Sequence, residues 1–164
     1  MEAEAARMIA QLRLIQGRAA SEHASIVVVG PDATTVLHEQ ILELLSYALV
    51  LSGSRVLTTS SPGADRAVIR GAARADEQML TVVVPNTIAA LPSGGAPFLA
   101  RGARAVELGH TNLPEEIEFR LVYAELLSSA DRLYAFTTHR SRALLQVIEE
   151  AKAMNVETCV LFLD

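Results

Sequence analysis

Short runs of apolar, β-branched residues recur along this chain, and each is followed by a longer stretch with helical spacing. The runs are "ASIVVVG", "SRVLTTS", "MLTVVVP", "RAVEL", "DRLYAFTT" and "VETCVLFLD". They are apolar nearly throughout rather than on alternate residues, which marks strands buried on both faces. Strands of that kind alternating with helices specify a parallel sheet covered on both sides. Right-handed crossovers then make the fold class α/β, a Rossmann-like, doubly wound, mostly parallel sheet of about six strands.

Composition fits this layout. Hydrophobic residues make up 51% of the 164 residues while aromatics supply 4% and tryptophan is absent, so the core is built from aliphatic side chains. No linker or repeat interrupts the chain. Residues 1–164 read as one domain, an N-terminal helix in 1–22 followed by a nucleotide-binding-type core over 24–164. Ala6, Ile9, Leu12 and Ile15 give the stretch 2–19 its helical period. Thr34 or Thr35 is placed to cap a helix running to about Leu51, which Gly53 ends. Pro62 suits the first turn of a helix reaching about Ala75. Residues 86–102, broken by Pro92, Gly94, Gly95 and Pro97, read as short helical pieces and loop. Asn112 is an expected N-cap, with Glu115 and Glu116 in the first turn behind it. Asn155 closes the last helix.

The net charge of −5 weighs against a surface made wholly for nucleic acid, because phosphate neutralisation dominates such binding. Cys159 is the single cysteine and sits in an apolar run, so neither a disulfide nor a cysteine-based zinc site forms within one chain. No metal and no cofactor is expected. The N-terminus lacks a signal-peptide core and no apolar stretch is long enough to span a bilayer, so the expected location is cytoplasmic, with no membrane partner.

In a doubly wound sheet, ligands bind beyond the C-terminal ends of the strands. Three loops leave strands there. In "GPDATT", Gly30 allows a tight turn and Thr34 stands at a helix start; a plain capped turn explains it equally. In "SSPGAD", Ser60 and Ser61 offer hydroxyls, Gly63 allows close approach, and Asp65 lies in the first helical turn. Asp65 either orients a ligand or only complements the helix dipole. In "TTHRSR", Thr137, Thr138, His139, Arg140, Ser141 and Arg142 make the most polar strand exit of the chain. A phosphorylated ligand held by a helix N-terminus and an arginine fork is the favoured reading of this loop.

"SIVVVG" followed by a long helix and "RVLTTSSPGADRAVIRGA" resembles the nucleotide-binding fold of the DNA-processing protein A and lysine-decarboxylase-like (LOG) group. Gly63, Asp65 and Arg70 stand at matching places, as do Arg120 and Asp131 in "FRLVYAELLSSADRLYAF", and the resemblance extends over residues 25–164. It implies Arg120 as a further ligand contact. The chain also departs from the group. An Arg-Asn-Arg of the DNA-processing members becomes Glu118, Phe119, Arg120. The phosphoribohydrolase branch carries Pro-Gly-Gly-x-Gly-Thr-x-x-Glu where "TTHRSR" stands, and its catalytic glutamate falls at about Ala143. Glu149 and Glu150 lie two helical turns further on, so no carboxylate is expected beside the third loop.

Four readings follow. The first is a non-catalytic module for a nucleotide or another phosphorylated small molecule. The second is a single-stranded DNA-binding mediator, with Arg66, Arg70, Arg74, Arg101 and Arg104 as a basic stripe. The third is a nucleoside-5′-monophosphate hydrolase. The fourth is an oligomerisation partner. A homodimer or higher homo-oligomer is expected throughout, its face drawn from helices 2–19 and 34–52.

Overall fold

The computed structural model describes residues 6, 7, 10, 24–61, 63–87 and 102–164. Residues 6, 7 and 10 are helical; the rest of the expected helix 2–19, Pro62, the pieces within 88–101 and Arg101 lie outside the described residues.

The chain runs β1 (Ser25–Val29), α1 (Val36–Leu51), β2 (Arg55–Thr59), α2 (Ala64–Asp76), a short 3₁₀ turn (Glu77–Met79), β3 (Leu80–Val84), β4 (Arg104–Glu107), α3 (Glu115–Ser128), β5 (Arg132–Thr137), α4 (Arg142–Ala153) and β6 (Glu157–Phe162). The six strands form one sheet in the order β4-β3-β2-β1-β5-β6, and every neighbouring pair is parallel. The expected doubly wound α/β sheet is therefore present. The chain steps outward from β1 to β4, then crosses back to lay β5 on the other side of β1. The order reverses between β1 and β5.

Alternate strand residues feed two cores. Ile26 and Val28 face α1 and α2, where they pack with Leu42, Leu45, Val68 and Phe136. Val27 and Val29 face α3 and α4, where they pack with Leu126, Leu133, Leu144 and Ile148. These side chains are almost wholly buried, which is why the strands are apolar on consecutive residues. Half-buried Cys159 packs at the edge of the first core.

Helix boundaries fall close to the sequence expectation, with one difference. Thr35 caps α1, accepting the His38 N–H at 3.2 Å. Asn155, at φ 60°, ends the turn after α4. Asn112 is not a cap: it takes a left-handed φ of 56°, and Pro114 occupies the N-cap position of α3. Asparagine tolerates that backbone region, so it serves the turn before the helix instead.

Candidate functional site

Because all strands run the same way, α1, α2, α3 and α4 all begin at the C-terminal edge of the sheet. Four helix N-termini, each with unpaired amides and a partial positive charge, are thereby gathered on one rim. What distinguishes them is how each is filled.

Loop 1 (30–35) closes the start of α2. The Ala64 N–H donates to the Pro31 carbonyl at 3.2 Å. A side chain on Gly30 would meet the Ala64 Cβ, and one on Gly63 would strike the Asp32 carbonyl. Gly63 also holds φ at +78°, a region costly for any other residue. The second loop is thus no open cradle: the backbone of the first loop lies across it. Ser60 and Ser61 are left half-buried beside this contact.

Asp65 sits under the junction at 0% exposure. Its carboxyl accepts the Gly30 N–H at 3.3 Å and the Thr59 hydroxyl, and Thr59 Oγ1 in turn accepts the Ser61 N–H at 3.2 Å. One buried side chain therefore ties the exits of β1 and β2 together. Burial pushes its pKa up to about 8, with the nearby Asp32 charge adding to the rise and the Thr59 and Gly30 hydrogen bonds opposing it. Tyr123 of α3 lies close enough to feel the same charges; burial first, then Asp65 and Asp32, holds its hydroxyl well above the usual tyrosine range. Burial and Glu115 likewise raise Asp32.

At the start of α1 the threonines are engaged locally. Thr35 is the cap, and the Thr34 hydroxyl donates to Glu39 Oε1 at 2.8 Å. Beyond β5, Thr137 is fully buried and its hydroxyl donates to the Thr138 carbonyl at 3.2 Å. His139 turns toward β6. Its backbone N–H donates to the Asp164 carboxylate at 3.1 Å, its Nδ1 lies 2.8 Å from Asp164 Oδ1, and its ring stacks on Phe162 at 3.9 Å. The His139 contact holds the Asp164 carboxyl below its ordinary range. Half-buried Ser141 is the N-cap of α4 without a side-chain cap bond, and Arg140 is exposed.

The open site lies between α3 and α4. Helix α3 rests on β2 and β3 while α4 rests on β5 and β6, so the reversal of strand order parts them. The cleft holds about 640 Å³. Arg142 and Ala143 line one wall, with Pro114, Glu115, Glu116, Phe119 and Arg120 on the other. Neither Pro114 nor Ser141 caps its helix through a side chain; at α4 the Arg142 N–H is taken by the Arg140 carbonyl at 3.1 Å, and the other first-turn amides of both helices are left without a side-chain cap. Of the residues singled out from the sequence, Arg120 and Arg142 line this cleft.

One expectation is corrected. Carboxylates do reach the third loop's helix: Glu115 and Glu116 share the cleft with Arg142 and Ala143, and so does Glu150 of α4 itself, two turns on. Glu115 and Glu116 come from a different helix, so spacing within "TTHRSR" did not reveal them; the acidic first turn after Pro114 was the available signal. Two arginines of the basic stripe have carboxylate neighbours. Arg70 pairs with Glu39 and Glu43 at 3.5 Å each, and Arg74 pairs with Glu43 at 3.1 Å while lying over the Tyr47 ring. Asp131 is at the opposite edge of the sheet, accepting the Ser25 N–H at 2.8 Å. Among the described residues no cluster of side chains has the makings of a metal site, and no helix is long and apolar enough to cross a membrane.

No protein-family model matches the sequence, and no curated protein matches it. Solved structures do resemble it in fold. DNA processing protein A from Helicobacter pylori, described with a single-stranded DNA binding mode, superposes with a TM-score of 0.69 at 11% identity over 87% of this chain and 67% of that one. DNA processing protein A from Streptococcus pneumoniae gives 0.70 at 14% identity, over 84% of this chain and 50% of that one, so this chain spans half its length. The structural-genomics target TM1055 gives 0.59 at 21% identity, over 82% of this chain and 72% of that one. The chain thus shares the Rossmann-like fold of the DNA processing protein A and LOG-like group.

Proposed function

We propose that this chain is a binding module for a nucleotide or a similar phosphorylated small molecule, held in the cleft between α3 and α4. The observation that carries the reading is the convergence of two helix N-termini without side-chain caps on one cleft walled by Arg120 and Arg142. Amides at a helix start and an arginine fork both favour a phosphate. The apolar surfaces of Phe119, Ala143 and Val147 suit a flat, weakly polar group beside it. Glu115 and Glu116 supply acceptors for hydroxyl groups and disfavour a ligand that is anionic throughout. Asp65 acts from below, by fixing the rim, and does not touch the ligand.

A thermal-shift screen of nucleotides, sugar phosphates and short single strands tests this. A nucleotide or sugar phosphate raises the melting temperature with concentration, and Arg142→Ala abolishes the rise. A screen in which none of these compounds shifts the transition refutes the reading.

A second reading has an observation in its favour. Glu115 and Glu116 in the cleft make hydrolysis of a nucleoside monophosphate chemically reasonable, since an oxocarbenium-like centre needs a carboxylate nearby. Release of free base, lost in Glu115→Gln or Glu116→Gln, separates hydrolysis from binding. Single-stranded DNA binding, a property of the H. pylori protein, is weakly supported here: Arg70 and Arg74 are committed to glutamates. DNA binding that weakens steeply with salt is the result that favours it.

A further inference from the structure

On the sheet face that α3 and α4 cover, Val27, Leu57, Val83 and Val106 are apolar and pack into the second core. The residues two positions earlier point to the same face, and all are polar: Ser25, Arg55, Thr81 and Arg104. Because β1 to β4 are neighbours in the sheet, these four lie side by side at its N-terminal edge. With Glu125 and Ser129 from the end of α3 they line a pocket of about 300 Å³, floored by the apolar residues above them. It lies at the opposite edge of the sheet from the cleft. Helix α3 spans the distance, opening at the cleft beside Pro114 and ending here at Ser129.

We propose that this pocket is a second anion site, which takes the phosphate group of a small phosphate monoester. Charge is the first argument. Among the described residues neither Arg55 nor Arg104 has a carboxylate partner. Arg132, at the start of β5 on the same edge, is paired with Glu157 of the neighbouring strand at 3.1 Å. The edge arginine outside the pocket is neutralised, and the two inside it are not. Glu125 sets one negative charge against their two positive ones. Geometry is the second argument. Arg104 is level with Thr81 on the adjacent strand, and Arg55 lies one strand to the other side and two residues lower. Strand spacing and rise place the two arginine Cα atoms roughly 12 Å apart, so their long side chains converge on one group held over Thr81. Forks arriving from two sides suit a phosphate, which offers oxygens in several directions, whereas one fork fills a planar carboxylate. The hydroxyls of Ser25, Thr81 and Ser129 add donors, and Glu125 accepts from a hydroxyl on the organic part of the ester. The volume is at the low end for ligand pockets, which limits the occupant to a small molecule.

The proposal does not depend on what the cleft binds, and the two sites separate residue by residue. Glycerol 3-phosphate is titrated into the nitrogen-15-labelled full chain, and the arginine Nε–Hε resonances are followed. Those of Arg55 and Arg104 shift in a saturable way, and they do so equally in Arg142→Ala, which lacks the cleft arginine. Arg55→Ala and Arg104→Ala, both at exposed positions, each weaken binding by about ten-fold or more. Glycerate, the carboxylate counterpart, binds about ten-fold more weakly than the phosphate ester. Glu125→Gln removes the opposing charge at constant shape and tightens inorganic phosphate, a gain that a folding defect does not mimic. Several results overturn the proposal: no saturable shift at Arg55 and Arg104, a response lost in Arg142→Ala, or affinity unchanged by Arg55→Ala or Arg104→Ala. Glycerate bound as tightly as the ester, or Glu125→Gln without a gain, overturns it as well.

Discussion

Replacing Asp65 by asparagine tests the central feature of the rim. Asparagine has the shape of a protonated aspartate. Its Oδ1 accepts the Gly30 N–H and its amide faces Thr59, but it never carries charge. The wild-type carboxyl, at 0% exposure, titrates near pH 8 in the fold against an ordinary value of 3.8. Between those values the folded chain holds a proton that the unfolded chain has lost, so stability falls as pH rises and levels off above the folded pKa. The loss is about 1.4 kcal/mol per pH unit, hence about 3 kcal/mol between about pH 5 and about pH 7. That is a large part of the ordinary margin of about 5–15 kcal/mol. Urea unfolding of both proteins across this range is the assay. Other titrating groups are common to both, so the difference between the two curves isolates Asp65. Relative to wild type, Asp65→Asn gains about 3 kcal/mol over the two pH units. Parallel curves, or a difference of opposite sign, refute the reasoning, since they mean that the two hydrogen bonds keep the buried carboxyl ionised.

Two further perturbations probe how the scaffold is held. Gly71 faces the backbone of α1, and a Cβ there would strike the Glu43 carbonyl, so Gly71→Ala forces α1 and α2 apart. Overpacking costs about 1–3 kcal/mol while alanine regains about 1 kcal/mol of helix propensity, so urea unfolding shows net destabilisation; a stabilised variant contradicts the close crossing. Thr35→Ala removes the acceptor for the His38 N–H and lowers stability by about 1 kcal/mol in the same measurement, whereas Thr35→Ser retains most of it.

Local patterns in the sequence determined the strands, the helices and the class of sheet. Runs such as "SIVVVG" and "MLTVVVP" are apolar on consecutive residues because both faces of β1 and β3 are covered. Parallel direction then placed the three strand exits on one rim without further information. Tertiary structure alone decided which helix openings stay free, because that depends on residues far apart in the chain. The Pro31 carbonyl closes α2 across 33 residues, and Asp65 reaches back 35 residues to Gly30, so a position that reads as a ligand contact becomes a buried brace. Arg142 gains Glu115, Glu116 and Arg120 as neighbours through the crossover that returns the chain from β4 to β5. Spacing along a chain encodes period and turn; which charges face each other across a cleft follows only from how the helices pack.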